Sequence, residues 1–215
     1  MQAIHKVLGG LVFALVTAQA SQAAIVYNNG APDRVSGTNM SGNQVAEDFI
    51  IGATTDITNI RFWTIQSTAG DYSGNLFWAI YSNSLGQPNA VVQGGAAVAV
   101  TETATGLSTL FNYAEFVIDI PVAFQLAAGT YWLGLANSPL DPADPSEMLW
   151  ETTASFGSLD GLYLDGADWF GTGNDHAFLI EGRNVIVPPP GIPEPGTLAL
   201  LVGALFAARV TRCRA

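Results

Sequence analysis

From about residue 24 to residue 186 the chain alternates short apolar runs with punctuating Gly, Asn, Asp, Ser and Pro. The runs are rich in Val, Ile, Phe, Tyr, Trp and Thr, side chains that suit a pleated, half-buried surface. They predict strands near 25–27, 44–50, 55–65, 76–81, 96–103, 114–120, 130–137, 148–152, 161–163 and 177–182. No stretch sustains a 3.6-residue apolar period with helix caps. Period-two alternation places Leu76, Trp78 and Ile80 on one strand face, and Tyr131, Leu133 and Leu135 on another. Along 57–65 the pattern sets Asn59, Arg61 and Trp63 on one side with Ile57 and Ile65. Turn chemistry marks Asn28-Asn29-Gly30, Ser41-Gly42-Asn43, Leu85-Gly86-Gln87-Pro88-Asn89 and Asp141-Pro142-Ala143-Asp144-Pro145. Many short strands without helices imply an all-β fold, a single antiparallel β-sandwich of jelly-roll type over 24–186.

The two ends read differently. Residues 1–23 carry His5 and Lys6, an apolar run over 7–16, and A-x-A-like sites at Ala18-Gln19-Ala20 and Ser21-Gln22-Ala23. That is the form of a secretory signal peptide, cleaved by signal peptidase between Ala23 and Ala24. Ten apolar residues are too few for a retained anchor. Residues 187–215 begin with Pro188-Pro189-Pro190, an extended spacer that cannot be helical or join a central strand. Pro193-Glu194-Pro195 follows, then the uncharged run 196–208, then a basic end over 209–214 with Arg209, Arg212 and Arg214. As a helix the run rises roughly 20 Å, short of the ~30 Å hydrocarbon core, so it suits a temporary membrane stop whose arginines snorkel to the cytoplasmic side.

From Ala24 to Glu194, 18 acidic residues stand against Arg34, Arg61 and Arg183, a net charge of −15. Such a surface repels phosphate backbones and anionic lipid, so nucleic acid is not an expected partner. Cys213 is the sole cysteine and lies in the tail, so the body has no disulfide and rests on its core. Catalysis has little to use. Only His176 of the two histidines lies in the body, at the opening of the last strand, and no Gly-x-Ser-x-Gly elbow occurs. A zinc or iron centre lacks its His and Cys. A structural calcium held by Asp160, Asp165 and Asp168 is an open alternative to their role as turn formers. No other cofactor is expected. Glycoside hydrolysis would need paired carboxylates, for which Glu47, Asp48 and Glu151 are candidates, though neighbours Glu47 and Asp48 point to opposite faces. Sugar binding would use exposed aromatics, Trp63 beside Asn59 and Arg61, and Trp169 in a Gly-Asp-rich segment.

The order Pro193-Glu194-Pro195, hydrophobic 196–208, basic 209–214 resembles the PEP-CTERM sorting signal of Gram-negative bacteria. Body segments resemble those of secreted proteins with that tail: Val45-Ala46-Glu47-Asp48-Phe49, Ile57-Thr58-Asn59-Ile60-Arg61-Phe62-Trp63, Trp78-Ala79-Ile80-Tyr81-Ser82-Asn83, Ala128-Gly129-Thr130-Tyr131-Trp132-Leu133-Gly134-Leu135 and Leu149-Trp150-Glu151-Thr152-Thr153. The resemblance implies recognition at Pro193-Glu194-Pro195 by a membrane exosortase, removal of the tail, and release from transient inner-membrane attachment to the cell surface or exopolysaccharide matrix. Glu194 is then a recognition residue, and the chemistry belongs to the partner enzyme. The expectation is an exported biofilm or surface β-sandwich that is not an enzyme. The alternatives are a carbohydrate-binding module and, below it, a glycoside hydrolase.

Overall fold

The computed structural model describes residues 23–67, 71–109, 112–137, 147–154 and 159–186. The expected signal peptide up to residue 22, the turn over 141–145 and the tail from residue 187 lie outside them. The chain divides into two compact units, Met1–Arg183 and Asn184–Ala215, and the described residues fall almost wholly in the first.

Fourteen strands and no helix occur among the described residues. They are β1 (Ala24–Asn28), β2 (Pro32–Asn39), β3 (Gln44–Ile51), β4 (Thr55–Gln66), β5 (Leu76–Ser84), β6 (Gln87–Ala96) and β7 (Thr101–Ser108). The second half contributes β8 (Ala114–Leu126), β9 (Gly129–Asn137), β10 (Met148–Thr153), β11 (Leu162–Asp165), β12 (Asp168–Gly171), β13 (Asp175–His176) and β14 (Phe178–Asn184). They form two antiparallel sheets. The larger runs β1-β14-β4-β10-β13, with β2 on β10, β8 on β4 and β7 on β8. The smaller runs β12-β11-β3-β9-β5-β6.

One core joins the sheets. Val45, Phe49, Ile80, Leu133 and Leu135 come from the smaller sheet, and Ile60, Phe62, Ile118, Trp150 and Phe178 from the larger. Rings interlock between them: Phe49 meets Phe178 edge-on at 6.3 Å, and Trp78 stacks on Phe124 at 5.3 Å. Burying such side chains contributes about 1.5–3 kcal/mol each, which a body without disulfides relies on. The all-β class and the faces expected for Leu76 and Ile80, and for Leu133 and Leu135, agree with this core.

Several expectations need correction. A strand over 96–103 does not exist. β6 ends at Ala96 in the smaller sheet, β7 starts at Thr101 in the larger, and the connection tucks Ala97 and Val100 against the core. Its alternating Ala and Val match a strand pattern, but the chain needs those residues to change sheets. β2, β6, β12 and the two-residue β13 escaped sequence reading because edge strands need no continuous apolar run. Ile57 does not share a side with Arg61. A bulge between Ile57 and Asn59 shifts the phase, so Ile57 faces the core while Asn59, Arg61 and Trp63 face outward.

The turn expected over 85–89 is only Leu85-Gly86, closing a hairpin with Ser84 opposite Gln87. Both residues are left-handed, φ 53° and 80°, the geometry of a type I′ turn. A leucine in that region costs about 1–2 kcal/mol, and this one is fully exposed. Leu85→Asn therefore raises Tm by about 3 °C, measured by calorimetry. An unchanged or lower Tm would show that the turn carries no strain.

Candidate functional site

β3 puts Val45, Glu47, Phe49 and Ile51 on the inward face, so one carboxylate stands in an apolar row. Its partner comes from the opposite sheet. Glu47 Oε2 accepts the backbone N–H of His176 at 2.9 Å and lies 2.8 Å from His176 Nδ1. The other ring nitrogen, Nε2, is 2.8 Å from Thr38 Oγ1. With Oε2 already an acceptor, Nδ1 carries the imidazole proton and Nε2 accepts from the threonine hydroxyl. Trp150 lies against the ring at 5.1 Å between centroids. Gly161 closes the other side: a Cβ there would meet His176 Nδ1 well inside contact distance and stand 2.7 Å from Glu47 Oε2. Ordinary backbone could pass here only without a side chain.

Both members of the pair have no exposed surface. Burial, then the nearby charges of Asp175 and Asp48, raises the Glu47 carboxyl well above its ordinary value. Burial lowers His176 to about 3. The hydroxyl–imidazole–carboxylate order is that of a catalytic relay, but a sealed imidazole held neutral at so low a pKa is a weak base for a threonine hydroxyl. What the arrangement does is tie the sheets together. His176 is thus not the turn-edge histidine that its sequence position suggested. A sequence signal did exist, a Glu at the centre of a period-two apolar face.

The outer face of the larger sheet holds the expected Asn59, Arg61 and Trp63. Arg61 is committed to Asp119 across the strand pair, through Nε at 2.8 Å and Nη2 at 3.0 Å. Asn59 donates to the same carboxylate at 2.8 Å. Arg61's own hydrogen bonds to Asp119 raise its pKa further. Trp63 is half-buried in the next outward row. Farther along, Arg34 joins two carboxylates: its backbone N–H donates to Glu151 Oε1 at 2.9 Å, and its Nε lies 2.8 Å from Glu115 Oε2, a charge contact outside hydrogen-bond angles. Glu151 Oε2 is buried without a hydrogen-bond partner among the described residues. Burial, then the Glu115 charge, pushes the Glu151 carboxyl up to about 8. Sequence reasoning missed this cluster, since Arg34, Glu115 and Glu151 meet only through strand pairing.

Beside it lies an open groove of about 400 Å³ whose walls include Val35, Asn39, Tyr113 and Glu147, with Ile65 and Leu149 also lining it. The Tyr113 hydroxyl donates to Glu147. Thr38, of the same strand β2, faces inward instead and is not a wall of this groove.

The remaining expected residues are dispersed. Trp169 lies in β12 of the smaller sheet with its ring on Tyr81 at 5.8 Å, so Trp63 and Trp169 belong to different sheets and make no common platform. Asp165 and Asp168 face each other across the two-residue turn Gly166-Ala167, and Asp160 precedes β11. Among the described residues no group of three or more His, Cys, Asp or Glu is arranged to hold a metal ion. Asp48 lies on the opposite face of β3 from Glu47, beside Trp132, and is also buried, accepting the Leu159 N–H at 3.3 Å. Ala23 precedes β1, and Ala24 opens it opposite Gly182. Pro193, Glu194, Pro195, Arg209, Arg212 and Arg214 lie outside the described residues, as does the 196–208 run. No family model matches this chain. A search of curated proteins likewise found no match.

Proposed function

We propose that the chain is an exported surface or matrix β-sandwich with no catalytic activity of its own, sorted by its C-terminal tail. The sorting half rests on the ordered Pro193-Glu194-Pro195, apolar 196–208 and basic 209–214 pattern, handled by signal peptidase at one end and an exosortase at the other. The non-catalytic half rests on one observation: the body's imidazole is sealed between the sheets and spent on Glu47 and Thr38. Glu47 and Glu151, the carboxylates considered for glycoside hydrolysis, are buried as well, which suits structural use. The chain passes repeatedly from one sheet to the other, which favours a jelly-roll-like connection. Replacing Pro193, Glu194 and Pro195 with alanine in the producing cell leaves full-length protein in the inner membrane, read by fractionation and intact mass. Normal release of the triple variant would sink the sorting half.

The Tyr113–Glu147 groove favours carbohydrate binding as a second reading. A half-exposed phenol ring beside a carboxylate offers a stacking face and hydroxyl acceptors, at a volume within the usual ligand range. Tyr113→Ala then weakens retention on a neutral polysaccharide gel at least tenfold, whereas Trp169→Ala leaves it unchanged. Equal retention of all three proteins would exclude the groove.

A further inference from the structure

We infer that the free edge of β6 is a pairing surface for a second copy of this chain, joining two smaller sheets through antiparallel β6–β6 contact. Among the described residues β6 is the terminal strand of the smaller sheet, and it runs ten residues, roughly 33 Å at strand rise. Alternate residues turn their N–H and C=O groups to the unpaired edge, where any extended strand could take them. Val91 and Val92 are 59% and 42% exposed, and Val98 just beyond is 72% exposed.

Charge selects the partner. No charged side chain occurs between Asp71 and Glu102, although the chain has 18 acidic residues. Two copies therefore repel over most of their surface and meet without opposed charges along the β5–β6 hairpin. An antiparallel two-fold contact needs a self-complementary strip, and an uncharged strand meets that condition in any register.

The other edges are guarded. On the opposite side of the same sheet, β12 has four residues and begins at Asp168, opposite Asp165. In the larger sheet, β7 carries Glu102, β2 carries Asp33 and Arg34, and β1 has five residues. Short strands and edge charges are the usual protection against strand addition, and β6 has neither. Pro88 and the bulges near Tyr81 confine regular pairing to the later part of the strand, where Gln93 to Ala96 follow Ile80 to Phe77 without a shift.

The test is cysteine scanning along 89–96 in the full chain with Cys213→Ser, followed by oxidation and by sedimentation across the micromolar range. Cross-links that peak at one position, with alternate positions favoured on either side, are the expected result. Val92→Lys, an exposed change, weakens the dimer more than tenfold by setting like charges beside each other, while Phe170→Lys on the opposite edge leaves it intact. Circular dichroism and Tm establish that both variants fold; Val91→Lys replaces Val92→Lys if that one does not. A monomer throughout the range, a dimer indifferent to lysine in β6, or cross-links spread evenly would each overturn the pairing.

Discussion

His176→Ala lowers the unfolding free energy by about 4 kcal/mol, a loss comparable to deleting a core aromatic. Two effects add. The imidazole fills space between Trp150, Gly161 and Glu47 in a region without solvent access, so its removal leaves a cavity. It also strips Glu47 of a ring donor and the Thr38 hydroxyl of its acceptor, and a buried polar group without a partner costs about 1–3 kcal/mol. Glu47→Gln costs far less, because an amide oxygen can still accept both His176 N–H groups in a site that already favours a neutral side chain. Urea unfolding followed by tryptophan emission reads both variants, and Trp150 against the ring makes the signal local. If His176→Ala cost under about 1 kcal/mol, the cross-sheet tie would be incidental to the fold.

Stability peaks in mildly acidic solution, near pH 4.5, and falls by up to about 6 kcal/mol on going to pH 8. Glu151 holds its proton in the folded state up to about pH 8 but releases it near 4.5 when unfolded. Its contribution is complete below 4.5 and is lost as pH rises through 8. Glu47 acts in the same sense, its folded carboxyl being raised by burial. His176 acts oppositely: unfolded chains protonate it below 6.5 while the folded site resists until about 3. Its contribution is present above 6.5 and is lost toward 3. Each group supplies a slope of at most ~1.4 kcal/mol per pH unit, so between 4.5 and 6.5 two carboxyls outweigh one imidazole. Above 6.5 the carboxyls act alone. Glu151→Gln removes one of them, cutting the decline to about a third and leaving the variant the more stable protein at pH 8. Thermal unfolding at several pH values tests this. A flat or rising profile from pH 5 to 8, or parallel curves for parent and variant, would mean that Glu151 ionises freely in the fold.

The two acid-dependent groups differ in how visible they were. Glu47 stands in a strand whose alternate residues are Val45, Phe49 and Ile51, so period two alone assigns it to the core. Glu151 follows Trp150 in a strand whose outward face looks open, and its burial comes with β2, which pairs beside β10 and brings Arg34 to it. Trp63 and Trp169 show the reverse error. Each lies in a polar setting in sequence, yet strand pairing assigned them to separate sheets.

What the sequence determined by itself is the strand class, most strand centres, the inward rows such as Leu133 with Leu135, and the compositional character of the two ends. Those are local properties, because a pleated strand alternates its faces every residue whatever lies beside it. What the tertiary structure decided is which rows meet: Thr38, Glu47 and His176 across the core, Arg34 over Glu115 and Glu151, and the half-turn shift at Asn59. These depend on register and on bulges, where a single residue's displacement exchanges one face for the other. The energy that selects the register is summed over the whole interface, so no local window of sequence contains it.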